Sequence, residues 1–131
     1  METRSLKRFT FRKRERLKLR KDILKVFNTG KVIQNDWFVI FYFRNGLDYS
    51  RFAFSVKKKF GKAVKRNKVK RWMRESIRNN KDKIPKGFDY LIVVRKKLSS
   101  SFKNLSFREF VNSFLSLFER VNNEENNNRN N

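Results

Sequence analysis

Apolar residues recur along this chain with two different periods. Leu19, Ile23, Val26 and Phe27 fall on one face of a helix, and Gly30 follows where a helix stops, so the spacing predicts a short helix over 19–28. The period then shortens to two. Trp37, Val39, Phe41 and Phe43 alternate with Phe38, Ile40 and Tyr42, giving a strand that is apolar on both faces. Beyond Asn45–Gly46, Phe52, Phe54 and Val56 alternate with Arg51, Ala53, Ser55 and Lys57, a strand with one apolar face. Aromatic and β-branched arms on either side of an Asn-Gly turn predict a hairpin. A further strand, YLIVVR at 90–95, follows a turn at Pro85 to Gly87.

Helical periodicity returns in two places. Over 64–79, at about 100° per residue, Val69, Trp72, Met73, Ser76 and Ile77 share one arc. Asn67, Lys70, Arg71, Arg74 and Arg78 share the opposite one, so this helix has a core face and a cationic face. The last helix is expected to start at Ser106, where Ser-Phe-Arg-Glu matches a capping box with Glu109 reaching back. Its stripe is Phe110, Val111, Phe114, Leu115, Leu117, Phe118 and Val121. The pattern divides the chain into a basic flexible leader over 1–15, one domain over 16–121, and an Asn-rich tail over 122–131 whose composition predicts disorder.

Charge adds a partner to this picture. With 35 Lys and Arg against 12 Asp and Glu, the 131-residue chain carries +23, more than solubility needs and a source of self-repulsion that a polyanion relieves. Nucleic acid is therefore the expected ligand. A 38% hydrophobic content, with 15 Phe, gives enough apolar surface for one folded domain. Without His or Cys, the chain lacks the usual general base near neutral pH, a thiolate nucleophile, a disulfide framework and ordinary zinc ligands. Its acids are scattered singly, apart from Glu124 and Glu125 in the tail, so paired-carboxylate catalysis has little basis. The longest apolar run, Trp37 to Phe43, is 7 residues, against about 20 for a spanning helix. Neither a spanning helix nor a secretory signal is visible, which with the lack of cysteine fits a cytoplasmic protein that does not engage membranes.

The densest signal is KKKFGKAVKRNKVKRWMR, Lys57 to Arg74. Three lysines lead through Gly61 into a helix whose outer face could carry a phosphate backbone, Arg gripping bidentately and Lys supplying point charge. The plain alternative is a solvated basic face. Glu75 is the only acid from 57 to 81, so intrahelical salt bridges do not explain the cations.

The stretch FSVKKKFGKAVKRNKVKRWMRESIR, Phe54 to Arg78, resembles the RNR segment of the bacterial ribonuclease P protein component: Arg66-Asn67, then Lys70-Arg71, then Arg74, preceded by Ser-Val-x-Lys-Lys and Gly-x-Ala-Val. VFNTGK at 26–31 and YLIVVRK at 90–96 extend the resemblance over roughly 16–120. It implies an α/β (α+β) two-layer sandwich, with a central mixed sheet, flanking helices and a left-handed β-α-β crossover, against the usual right-handed preference. It also implies a noncatalytic subunit of an endoribonuclease. In that family a large RNA, binding Mg²⁺, removes the 5′ leader of precursor tRNA, and the small protein binds both the catalytic RNA and the leader, with no obligate protein partner.

Roles carried over by the resemblance place Arg66, Asn67, Lys70, Arg71 and Arg74 against the catalytic RNA, with Lys57, Lys58, Lys59 and Lys68 as auxiliary cations. Ile23, Phe27 and Phe41 match positions lining the cleft for the single-stranded leader, where rings stack on unpaired bases of any sequence. Ile23 departs from the family's usual aromatic, which removes one stacking platform. For Phe27 and Phe41 taken alone, and for Trp72 and Met73, core packing is the competing reading. The competing function is a ribosomal or other structural RNA-binding protein, which would share the charge and the aromatics but not the spacing.

Overall fold

A computed structural model describes residues 13–130, so Phe9, Phe11 and most of the expected leader lie outside the described residues. Four α-helices are present among the described residues: α1 (Arg20–Thr29), α2 (Ala63–Asn79), α3 (Lys96–Phe102) and α4 (Phe107–Asn130). Four strands, β1 (Lys31–Gln34), β2 (Phe38–Arg44), β3 (Arg51–Ser55) and β4 (Phe88–Val94), form one sheet in the order β1-β2-β4-β3. β1 and β4 both run antiparallel to β2, whereas β3 runs parallel to β4. The sheet is mixed, as the resemblance implies, and α2 lies in the β3-to-β4 crossover.

Strand alternation separates two cores. Phe38, Ile40 and Tyr42 of β2 and Phe88, Tyr90, Ile92 and Val94 of β4 point to one face, where they meet Val69, Met73 and Ile77 of α2 and Phe110, Phe114, Leu117 and Phe118 of α4. Phe41 and Phe43 of β2 and Leu91 and Val93 of β4 point to the other face, against Leu17, Ile23 and Val26. The two apolar faces of β2 thus serve two layers. α1 descends into β1 through Gly30, whose backbone passes so close to Tyr42 that an added Cβ would lie 2.8 Å from the Tyr42 carbonyl oxygen.

The hairpin expected across Asn45–Gly46 does not form: β4 inserts between β2 and β3. Gly46 does adopt a turn conformation, φ 74°. Asn45, besides donating across the turn to Tyr49 O at 3.2 Å, ties the turn to the start of β4. Its backbone N–H donates to Gly87 O at 2.9 Å and its side-chain amide donates to Asp89 at 2.9 Å. Asp89, buried, also accepts two hydrogen bonds from Arg51 at 2.8 and 2.7 Å. That carboxylate pushes the Arg51 pKa up from its ordinary value. The local hairpin is instead β1–β2, whose turn is closed by Asn35 Oδ1 accepting from the Trp37 and Phe38 N–H groups, both at 3.0 Å. β1 and α3 carry too few apolar positions to show a period and were not expected.

The chain end also differs from expectation. Residues from Asn122 continue α4 as helix to Asn130. The tail's composition has little intrinsic helix preference, but the extended helix is tied down by side chains: Tyr42 donates to Glu124 at 2.9 Å, and Glu125 pairs with Lys31 and Arg44. At the other end of α4 the capping box is present, with Glu109 N–H donating to Ser106 Oγ at 3.1 Å and Ser106 N–H donating to Glu109 Oε1 at 3.3 Å.

Candidate nucleic-acid interface

Two surfaces emerge from this scaffold. The first is the outer arc of α2. Burial of Val69, Met73, Ser76 and Ile77 fixes which side of the helix faces inward. Trp72 sits at the edge of that face, its ring centroid 4.9 Å from Phe102, 5.2 Å from Phe107 and 5.3 Å from Phe110, so a wedge of aromatics sets the roll of the helix. The opposite arc then presents Asn67 and Arg71 exposed and Lys70 and Arg74 half-buried. None of these four has a hydrogen-bond or ion-pair partner among the described residues, so their donors remain available. Arg78 has only a loose pairing with Glu75, at 4.0 Å.

Neighbouring cations are partly committed elsewhere. Arg66 is half-buried in the first turn of α2, and its Nε donates to Gly61 O at 3.1 Å. Lys65, which sequence reasoning did not single out, is used structurally. Its ammonium donates to the carbonyl and hydroxyl of Ser99 at 3.0 and 2.9 Å and pins α2 to α3. Lys68 lies over the Trp72 ring at 5.3 Å, exposed. Lys57, Lys58 and Lys59 are all exposed where β3 runs through a 3₁₀ turn toward α2.

The second surface is a groove of about 540 Å³ between α1 and the second face of the sheet. Ile23 and Phe27 form its α1 wall and Phe41 part of its floor, so the structure brings the three expected residues together. Phe27 is 52% exposed, and its ring lies 5.1 Å from that of half-buried Phe41. The half-exposed ring leaves apolar surface open to water along the groove. Sequence reasoning missed Leu24, Val39, Phe54 and Val93 in the lining. The signal for Val39 was present, since β2 is apolar on both faces where a single core needs only one. Lys57 also lines the groove, so Lys57 to Lys59 connect it with the start of α2.

Among the described residues no three acidic side chains cluster as a metal site, and no helix is long and apolar enough to cross a membrane.

Comparison with known proteins agrees with this fold. The Ribonuclease P family model matches residues 11–122. The ribonuclease P protein component of Thermotoga maritima is 51% identical over 112 residues, covering 86% of this chain and 96% of the relative, and that of Petrotoga mobilis is 41% identical over 86% and 95%. The solved Thermotoga maritima protein superposes with a TM-score of 0.77 over 81% of this chain and 96% of its own. The Staphylococcus aureus RNase P protein does so with a TM-score of 0.73 at 28% identity, over 82% and 94%. A Trp-wedged cationic helix, an aromatic groove and these matches along nearly the whole described chain lead to one conclusion: the chain belongs to the ribonuclease P protein family, as the protein subunit that works with an RNA subunit in the endonuclease that processes tRNA 5′ ends.

Proposed function

We propose that the two surfaces divide the labour of this subunit. The outer arc of α2, Arg66, Asn67, Lys70, Arg71 and Arg74 with Lys57, Lys58, Lys59 and Lys68 beside it, holds the catalytic RNA. The groove at Ile23, Phe27 and Phe41 holds the single-stranded 5′ leader of precursor tRNA. The observation that carries the second assignment is the half-exposed Phe27 ring beside Phe41, in a groove that has a cation at its end. Stacking on such rings requires unpaired bases and tolerates any sequence, which suits a leader and not a duplex.

On this reading Mg²⁺ would be bound mainly by the RNA subunit and would supply the activation of a water nucleophile there. The protein's own part is electrostatic. Its unpaired cations lower the repulsion between catalytic RNA and substrate, and the groove orients the leader so that the scissile bond is presented in register. The complex acts in the cytoplasm and needs no second protein.

Reconstitution tests this reading. Precursor tRNA is offered to RNA alone, protein alone and the mixture across a Mg²⁺ titration. The expected result is no cleavage by protein alone, and a mixture that works at lower Mg²⁺ than RNA alone. Shortening the leader until it no longer reaches the groove should remove the protein's contribution to substrate affinity. A contribution that persists without any leader would place the substrate elsewhere.

A further inference from the structure

Val121 is the last residue of α4 in the core, and the family match ends one residue later. The helix nonetheless runs on, and what it carries there is the chain's only adjacent pair of acids. Glu125 lies between two cations of the β1–β2 hairpin, 3.3 Å from Lys31 and 3.1 Å from Arg44, with its side chain only 14% exposed while theirs are 53% and 54% exposed. Arg44 in turn lies 4.8 Å above the Phe88 ring. A carboxylate bridging a lysine and an arginine beside an aromatic face occupies the place a phosphodiester would take, since both offer paired anionic oxygens to the same donors. In a chain of charge +23, this is a cationic patch supplied with an anion from within.

The cover is removable. Beyond Val121 the helix end is held by polar ties to Tyr42, Lys31 and Arg44, and ion pairs whose cations stand half in water are weak, salt-sensitive and here located toward the end of a helix, where helices fray. We propose that Lys31 and Arg44 form an RNA-phosphate site separate from both surfaces described above, and that Glu125 occupies this site in the free protein and yields it to RNA. The extension past the family domain then sets the affinity of the subunit by competing for its own cations.

The test uses the full chain and the reconstituted holoenzyme. Glu125→Gln keeps the size of the side chain and removes the competing charge. It should tighten RNA binding about three- to tenfold, the scale of two surface ion pairs. It should also steepen the plot of log affinity against log salt by roughly 0.7 to 0.9, one phosphate contact. Two arms distinguish the source of the phosphate: binding of the catalytic RNA to the protein, and binding of precursor tRNA to the holoenzyme. Lys31→Gln with Arg44→Gln should abolish the gain. Glu119→Gln, the same change of net charge on an exposed part of α4, should not reproduce it. Hydrogen exchange of the 123–128 amides should speed up when RNA binds. The proposal is overturned by unchanged affinity in both arms, by an equal gain from Glu119→Gln, by a gain that survives loss of Lys31 and Arg44, or by slower exchange of the helix end in the complex.

Discussion

Phe27 and Phe114 show how one residue type serves two purposes in this protein. Phe114 is completely buried between Phe38 and Phe118, whereas Phe27 leaves half its surface in water. Truncating Phe114 to Ala should therefore cost about 3–5 kcal/mol of stability, and Phe27→Ala well under that. In holoenzyme binding the order reverses. Phe27→Ala should lose about 1–3 kcal/mol for precursor tRNA and nothing for mature tRNA, which has no leader to stack. Melting curves beside binding of both tRNAs check this, and equal losses for both tRNAs would return the ring to the core. Tyr42 makes a second prediction. Burial, then its hydrogen bond to Glu124, pushes its pKa well above the ordinary 10.0, and burial shifts Tyr90 the same way. A folded-state pKa raised above the unfolded value means that stability is intact below about pH 10. It is then lost as pH rises, because only the unfolded chain releases these protons, at about 1.4 kcal/mol per pH unit for each tyrosine. Urea melts between pH 9 and pH 11 should show this decline, and Tyr42→Phe should make it shallower by one tyrosine's share. An identical slope in the variant would show that Tyr42 does not carry it.

At the scale of elements, α2 and α4 were the most legible parts of the sequence, for a reason that also predicts their behaviour. A helix that packs on one side writes its period into the chain, and a capping box writes its first residue. Ser106→Ala removes an observed cap and should cost about 1 kcal/mol, within a usual span of about 0.5–2, in denaturant melts of the whole protein. The outer arc of α2 was equally legible, since Glu75 is the only acid from 57 to 81 and cannot pair with so many cations. Its double variant Arg66→Ala with Arg74→Ala should leave the fold intact and flatten log affinity for the catalytic RNA against log salt by about 1.4 to 1.8, two phosphate contacts. An unchanged slope would mean that neither side chain contacts RNA phosphate. α3 and β1 were not legible. α3 has 7 residues and β1 has 4, too short for either period to repeat, and both are held by partners distant in sequence. Lys65 was hidden for the same reason, because its commitment to Ser99 depends on where α3 packs. The helical end of α4 was misread because composition reports intrinsic preference, whereas Glu124 and Glu125 are fixed by Tyr42, Lys31 and Arg44, 81 to 94 residues earlier.

For the molecule as a whole, the decisive departure from local reasoning is the strand order. Asn45–Gly46 is the kind of dipeptide that closes hairpins, and nothing near it in the sequence indicates that a later strand will come between its two arms. What selects the observed order is burial. β4 is covered on both faces along almost its whole length, and such a strand belongs at the centre of a sheet, not at its edge. The resemblance to a family supplied this mixed sheet where periodicity alone gave only a hairpin. The order has a consequence for how the protein is made. On a ribosome, β2 and β3 emerge before the strand that joins them, and the chain from Ser55 to Val94 must still be synthesised before the sheet can close. At about 5–20 residues per second this leaves two facing aromatic strand edges open for roughly 2–8 seconds, long enough for a pairing with another nascent copy. The lysines and arginines concentrated between β3 and β4 emerge during that interval, and their like charge opposes the close approach of neighbouring unfinished chains.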